Sequence, residues 1–240
     1  MKHLRFLFTA LIFTLAACAA DRGFVSLFNG HDLTGWKIPV GDNGHWKVLN
    51  GVIDYDARSE APTDKNLWSE KEYKDFVLRV DWRIKETTGL YPVPTVLPDG
   101  SHQQGSDGKD IITPMANADS GIYLRGTSKA QLNIWCWPIG SGEVYGYRMD
   151  QKMPPAVRAG VTPKLRADKP VGEWNTFEIT MKGDRLSVVL NGKTVIENAQ
   201  LPDVPVKGAL ALQHHGGFKD GKYDAASSLV QFRNLSIKEL

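Results

Sequence analysis

Residues 76–84, "FVLRVDWRI", constrain the chain most. Phe76, Leu78, Val80, Trp82 and Ile84 alternate with Val77, Arg79, Asp81 and Arg83. A period of two sends one set to a core and the other to water, as a half-buried antiparallel strand requires and a helix cannot provide. The pattern returns in "FEITM" (177–181), "RLSVVL" (185–190), "GALALQHH" (208–215) and "SLVQFRNLSIKEL" (228–240). Gly183-Asp184 separates the first two of these. Asn191-Gly192 then suits a tight hairpin turn whose central residues take positive φ. Helical periodicity is poor; only residues 59–74 have room for a helical turn or two. Many short strands with Gly and Asn turns predict an all-β, antiparallel β-sandwich.

The 240 residues suit one domain, and 42% hydrophobic content is enough for a sizeable core. Two stretches interrupt the strands, 86–118 and 138–172, both rich in Gly, Pro and Asp. Their prolines and scattered Leu90, Val93, Val96 and Ile111 predict ordered loops packed on one edge of the sandwich. Loops this long in a compact domain are usually functional.

The N-terminus reads as a leader rather than as core. Lys2 and Arg5 precede an apolar run from Phe6 and then small residues, the order of a secretory signal over residues 1–17. "LAAC" (15–18) resembles a bacterial lipobox, in which Cys18 is lipidated; the other reading is a plain signal with a chance cysteine. Residues 18–23 read as a tether and 24–240 as a single domain. No later stretch has the ~18 continuous apolar residues of a membrane span. The expectation is an exported lipoprotein of the periplasm or cell envelope, held to the membrane through Cys18. Removing Lys2 and Arg5 lowers the 29 basic residues to 27, equal to the 27 acidic ones. Without net positive charge or a basic cluster, nucleic acid is not an expected partner. Cys136 is then alone and lies on the apolar face of its strand, where it reads as a small core residue.

That strand carries the strongest functional signal. Along "QLNIWCW", Gln131, Asn133, Trp135 and Trp137 share one face, while Leu132, Ile134 and Cys136 share the other. Amides that bond hydroxyls, beside indoles that stack on sugar C–H faces, suggest a carbohydrate site; the plainer reading is tryptophans covered by a loop. In "ADSGIYLRG" (118–126), Tyr123 and Arg125 fall on the face opposite Ile122 and Leu124, with Asp119 at the strand's start. If this strand pairs with the next, both stand beside Gln131, though Arg125 also suits a structural ion pair. Further on, Gln213 and His215 fall on the outward face and His214 toward the core. Histidine titrates where proton transfer is useful, and Gly216-Gly217 opens the backbone beside His215. Glu143, in "GSGEVYGYR", has glycines nearby that leave a carboxylate room for a ligand, as a base or metal ligand, or leave it in solvent. There is no P-loop, dinucleotide glycine fingerprint, CxxC pair, HExxH or GxSxG, which disfavours nucleotide cofactors, zinc proteolysis and serine esterase chemistry.

Six segments taken in order carry a family resemblance: "SLFNGHDLTGW" (26–36), "WKVLNGVIDY" (46–55), "YKDFVLRVDWRI" (73–84), "DSGIYLRG" (119–126), "GEWNTFEITMKGDRLSVVLNGKTV" (172–195) and the "GALALQHHG" and "VQFRNLSIKEL" blocks near the end. Residues 24–240 resemble the 3-keto-disaccharide hydrolase domain. The resemblance implies a concanavalin A-like jelly-roll of two antiparallel sheets. It also implies an exported enzyme cleaving glycosides whose glucose ring is oxidised to a ketone at C3. Such a ketone acidifies the C2 hydrogen; a base removes it, a donor steadies the enolate, and the aglycone leaves from C1 by elimination, with added water completing net hydrolysis. The two flanking carboxylates of ordinary glycosidases are not needed.

On this resemblance His215 is the base. Asp119 or Glu143 orients it, or joins it in holding a divalent metal ion, should one take part. Arg125 and Gln213 bind the ketone or neighbouring hydroxyls, and Trp135 and Trp137 stack on sugar, with Tyr123, Gln131 and Asn133 beside them. The chain departs from the family's common pattern in two places. Asp119 stands where many members have Asn, and Gln131 where many have Glu, so one carboxylate changes position. The second reading is a non-catalytic, lectin-like carbohydrate-binding module, since fold does not dictate function.

Overall fold

The computed structural model describes residues 22–224 and 226–240. The expected signal segment, Cys18 and most of the expected tether lie outside the described residues. In chain order the first strands are β1 (Val25–Ser26), β2 (Trp36–Lys37), β3 (Lys47–Leu49), β4 (Val52–Asp56), β5 (Leu67–Tyr73) and β6 (Phe76–Ile84). The middle of the chain forms β7 (Leu90–Pro94), β8 (Ile112–Ala116), β9 (Asp119–Leu124), β10 (Thr127–Trp135) and two short helices, α1 (Tyr145–Arg148) and α2 (Pro155–Gly160). The last part forms β11 (Asn175–Lys182), β12 (Arg185–Leu190), β13 (Lys193–Gln200), β14 (Gly208–Leu212), β15 (Gly217–Lys219), β16 (Lys222–Asp224) and β17 (Leu229–Glu239).

Two antiparallel sheets face each other across the core, the expected jelly-roll architecture. The larger runs β13-β12-β11-β6-β17-β4-β3, with β1 also paired to β17; the smaller runs β10-β9-β14-β5-β2. The period-two strands behave as their patterns demand. In β6, Phe76, Leu78, Val80, Trp82 and Ile84 are buried, while the residues between them are half-exposed. Phe177, Ile179 and Met181 of β11 and Leu186, Val188 and Leu190 of β12 join them, against Leu132, Ile134, Ile122, Leu210 and Leu212 from the smaller sheet. Each such side chain contributes about 1.5–3 kcal/mol through burial. Asn191 and Gly192 take φ of 52° and 76° between β12 and β13, as the hairpin turn requires.

Residues 59–74 depart from expectation. They hold no helix; β5 fills their second half, pairing with β14 and β2. Its "SEKEY" run has helix-forming residues, but a vacant sheet edge on each side decides the conformation.

The two long excursions are ordered. The first folds into the β7–β8 hairpin, and the second carries α1 and α2. They meet at Arg148, whose guanidinium reaches the Gly100 carbonyl and His102 Nε2. Among the described residues, no helix is long and apolar enough to cross a membrane.

Candidate active site

The outward face of the smaller sheet carries the site. Register places Trp135 opposite Asp119, Asn133 opposite Gly121 and Gln131 opposite Tyr123. On the other side of β9, Ala211 faces Tyr123, and the Gln213 N–H donates to the Gly121 carbonyl. Asp119, Gln131, Asn133, Trp135, Trp137, Gln213 and His215 are thereby gathered around one cleft of about 330 Å³, with Tyr91, Tyr145 and Ala226 completing its lining. That volume lies within the usual range for small-molecule sites. A larger cleft, about 520 Å³, lies between β1, β2, β5 and the end of β17. It holds no histidine, and its Lys71 and Glu239 pair with each other.

The amides interlock. Gln131 Nε2 donates to Asn133 Oδ1 and, at 2.7 Å, to Gln213 Oε1. To reach Gln213 the Gln131 side chain must cross β9, and Gly121 is what lets it through. A Cβ at Gly121 would stand 2.8 Å from both Cγ and Nε2 of Gln131. The row is held in one geometry before any ligand arrives, which lowers the ordering cost of binding. Tyr123 lies on the same face but is buried beside Trp68, with ring centroids 5.8 Å apart. It hydrogen-bonds Gln213 and does not line the cleft.

Asp119 and His215 form the titratable centre. Asp119 Oδ1 is shielded from solvent with no hydrogen-bond partner. Burial pushes the carboxyl up to about 7, with His215 nearby pulling it partly back. His215 Nδ1 lies 2.8 Å from the Ala226 carbonyl. A carbonyl can only accept, so Nδ1 carries the proton and Nε2 keeps the basic lone pair. Ser228 holds both backbones: its hydroxyl accepts from His215 N–H at 2.8 Å and donates to the Asp119 carbonyl at 2.7 Å. His214 turns the other way, with Nδ1 2.6 Å from the Tyr55 hydroxyl, and burial lowers its pKa to about 4.

Beside Tyr123, three more expected roles change. Arg125 does not stand beside Gln131. It takes φ of 51° in the turn after β9, which breaks the alternation and swings the side chain to the far end of the sandwich. There it is 2% exposed, donating to the carbonyls of Lys74, Gly183 and Pro205 and pairing with Asp75 at 2.9 Å. Glu143 does not approach a ligand. Gly142 lets the chain tuck against β10, where Asn133 N–H donates to the Glu143 carbonyl, and the carboxylate is buried in an ion pair with Arg148. Trp135 is no open platform: it is 3% exposed, its indole N–H donates to the Gly140 carbonyl, and Trp137 lies flat on it at 4.0 Å. Trp137, half-buried, lines the cleft beside it.

The ligand set for a metal is correspondingly short. Asp119 and His215 are together, but Glu143 is locked elsewhere. Among the described residues, no three His, Cys, Asp or Glu side chains gather as an ion would need. Cys136 is buried among apolar groups, which push its thiol up to about 11 and leave it inert. The sequence reading missed Tyr91, Tyr145, Ala226 and Ser228. The two tyrosines sit in the excursions, where no periodicity indicates direction; loop length was the one signal available.

Sequence comparison adds the decisive observation: residues 23–238 match the 3-keto-alpha-glucoside-1,2-lyase-like domain. The chain belongs to that family. Among curated proteins, none matches it by sequence. Two solved structures of candidate glycosyl hydrolases from Parabacteroides distasonis share the fold, each with a TM-score of 0.55. One is 19% identical, covering 91% of this chain and 84% of its own; the other is 20% identical, covering 91% and 94%. At such identity the likeness speaks for the sandwich, while the family match speaks for a carbohydrate-directed domain.

Proposed function

We propose that this member of the lyase-like family cleaves glycosidic bonds of glucosides oxidised at C3, by elimination with or without subsequent hydration. The observation that carries the reading is the pairing, in one cleft, of an imidazole anchored through Nδ1 to a backbone carbonyl and a carboxyl raised to about 7. His215 Nε2 takes the C2 proton, and the C2–H electron pair moves toward the C3 oxygen. Asp119, in its acid form, donates to that oxygen and steadies the enolate. The C3 carbonyl then re-forms as the C1–O bond breaks, leaving a C1–C2 double bond. The departing alkoxide takes up the proton. Water adding across C1 and C2 gives the net hydrolysis product. The Gln131, Asn133 and Gln213 amides meet the sugar hydroxyls and hold the ring over the base.

An exported, lipid-anchored location belongs to the same proposal, supported by the signal pattern and Cys18 in the sequence. The test is turnover of 3-keto-trehalose and a 3-keto-aryl-glucoside by the purified mature chain, following 3-keto-glucose and the unsaturated sugar. His215→Ala should lower the rate by roughly 10²–10⁴-fold. Sugar binding without turnover by the intact chain would instead make it a binding module.

A further inference from the structure

Outside the cleft, the β15–β16 hairpin carries a cluster that the proposed chemistry does not use. Its sequence, "GFKDGKYD" (217–224), encodes the hairpin: Asp220 and Gly221 take φ of 51° and 77°, the two positive values that a tight two-residue turn requires. Register then sets Phe218 directly opposite Tyr223, so both rings stand on one face, edge to face at 4.9 Å. Arg58, just after β4, packs on them. Its guanidinium carbon lies 3.9 Å from the Phe218 ring centre, and Nε donates to the Tyr223 hydroxyl at 3.2 Å. Nε is thereby spent. Among the described residues, Arg58 Nη1 and Nη2 have no hydrogen-bond or ion-pair partner, and Lys222 pairs with no carboxylate.

These groups border an open depression of about 410 Å³, with Glu86 and Thr87 also in its lining. Two cations meet one carboxylate there, and Glu86 forms an ion pair with neither. A guanidinium packed on a ring and held at Nε presents its two remaining nitrogens as a fork. That fork matches the paired oxygens of a carboxylate or sulfate, and its ordering cost is already partly met. The depression is continuous in chain with the cleft. Thr87 lies four residues before Tyr91, Phe218 three after His215 and Tyr223 three before Ala226, and Tyr91, His215 and Ala226 all line the cleft. Three or four extended residues span at most ~14 Å, a distance an oligosaccharide bridges. We infer that the depression is an anion subsite, in which Arg58, with Lys222, binds a carboxylate or sulfate ester carried on a sugar beyond the ring in the cleft. That the anion belongs to a sugar rests on the carbohydrate reading of the cleft; the fork itself does not.

Calorimetric titration of the mature chain tests this with a glucuronic acid–glucose disaccharide, its uncharged methyl ester, a sulfated glucose disaccharide and inorganic sulfate. None carries the activating ketone, so affinity is read alone. The sugar acid should bind roughly fivefold tighter than its ester, as a bidentate but partly exposed charge pair allows. The preference should shrink as salt rises from about 0.05 to about 0.5 M. Whichever of the uronate and the sulfated sugar binds tighter names the source of the anion. Arg58→Gln should remove the preference while changing ester affinity by less than about twofold; Lys222→Gln should roughly halve it, and Glu86→Gln should raise it about twofold. Circular dichroism checks folding. Lys222 and Glu86 are exposed, so their variants read the charge even if Arg58→Gln loosens the hairpin. Equal affinity for acid and ester, a preference untouched by the Arg58 and Lys222 variants, inorganic sulfate binding as tightly as the sugar acids, or no binding of any probe would each overturn the inference. Cleavage of 3-keto-trehalose is assayed alongside. Turnover without an acid preference removes the anion subsite alone; an acid preference without turnover removes the lyase reading alone.

Discussion

The Ser228 hydroxyl touches the backbones of both His215 and Asp119 without lining the cleft. It is a positioning residue, and Ser228→Ala should lower kcat about tenfold with KM nearly unchanged, because a small misplacement of a base costs rate more than affinity. Ser228→Thr should restore most of the loss; a matched fall in both constants, without rescue, would mean a purely structural role. Asp119 makes a pH prediction. Its acid form is the donor, so activity should fall as pH rises through about 7. Asp119→Asn keeps an N–H donor and removes the titration, so the alkaline fall should vanish from its pH–rate profile. The same shift acts on stability. Between the model-compound value of 3.8 and about 7 the folded chain holds a proton that the unfolded chain has lost. Stability from this group is therefore greatest at low pH and declines as pH rises to about 7. The Tm advantage of Asp119→Asn over the parent should grow from pH 4 to pH 8.

At the scale of elements, the site is a property of the β9–β10 pair. The outward direction of Gln131 and Asn133 was legible from alternation alone, because Leu132 and Ile134 had to face the core. Their interlocking with Gln213 was not, since it depends on which strand flanks β9. Gly121→Ala tests that arrangement. The added methyl would stand 2.7 Å from the Leu132 carbonyl and push the Gln131 amide aside. We expect sugar affinity to fall about tenfold, the worth of one misplaced hydrogen bond to a ligand, with a smaller change in urea midpoint. The excursions show the opposite limit. Glycines near Glu143 looked like room for a ligand, yet they let the chain pack inward toward Arg148. Sequence spacing carries no sign for such a turn.

Across the whole molecule, Arg125 joins turns that are distant in sequence, binding residues 74, 75, 183 and 205 from the end of β9. Removing a buried guanidinium strands Asp75 and several carbonyls. Arg125→Ala should cost about 3 kcal/mol, read as a lower urea midpoint in a single cooperative transition. The kcat of the folded fraction should match the parent, because the side chain is nowhere near the cleft; a selective loss of kcat would return Arg125 to the substrate. Both sheets contribute to one continuous core, which is why local changes at this far end should register as global stability.

The sequence by itself determined the layers. Period-two strands such as 76–84 can bury only one face, Asn191-Gly192 can close a hairpin at little strain, and the faces of β6, β9 and β10 follow up to the point where a turn breaks the alternation. It also determined that Gln131, Asn133, Gln213 and His215 look outward. Tertiary structure decided which outward residues meet. Arg125 left the row because its own φ turned positive, Glu143 was taken by Arg148, and Trp135 was covered by Trp137. Asp119 became a weak acid only because burial removed its water without supplying a partner. Tyr91 and Tyr145 joined the cleft through excursions whose paths are set by long-range contacts. Periodicity is a local consequence of backbone geometry, whereas a site depends on which segments approach one another across the fold.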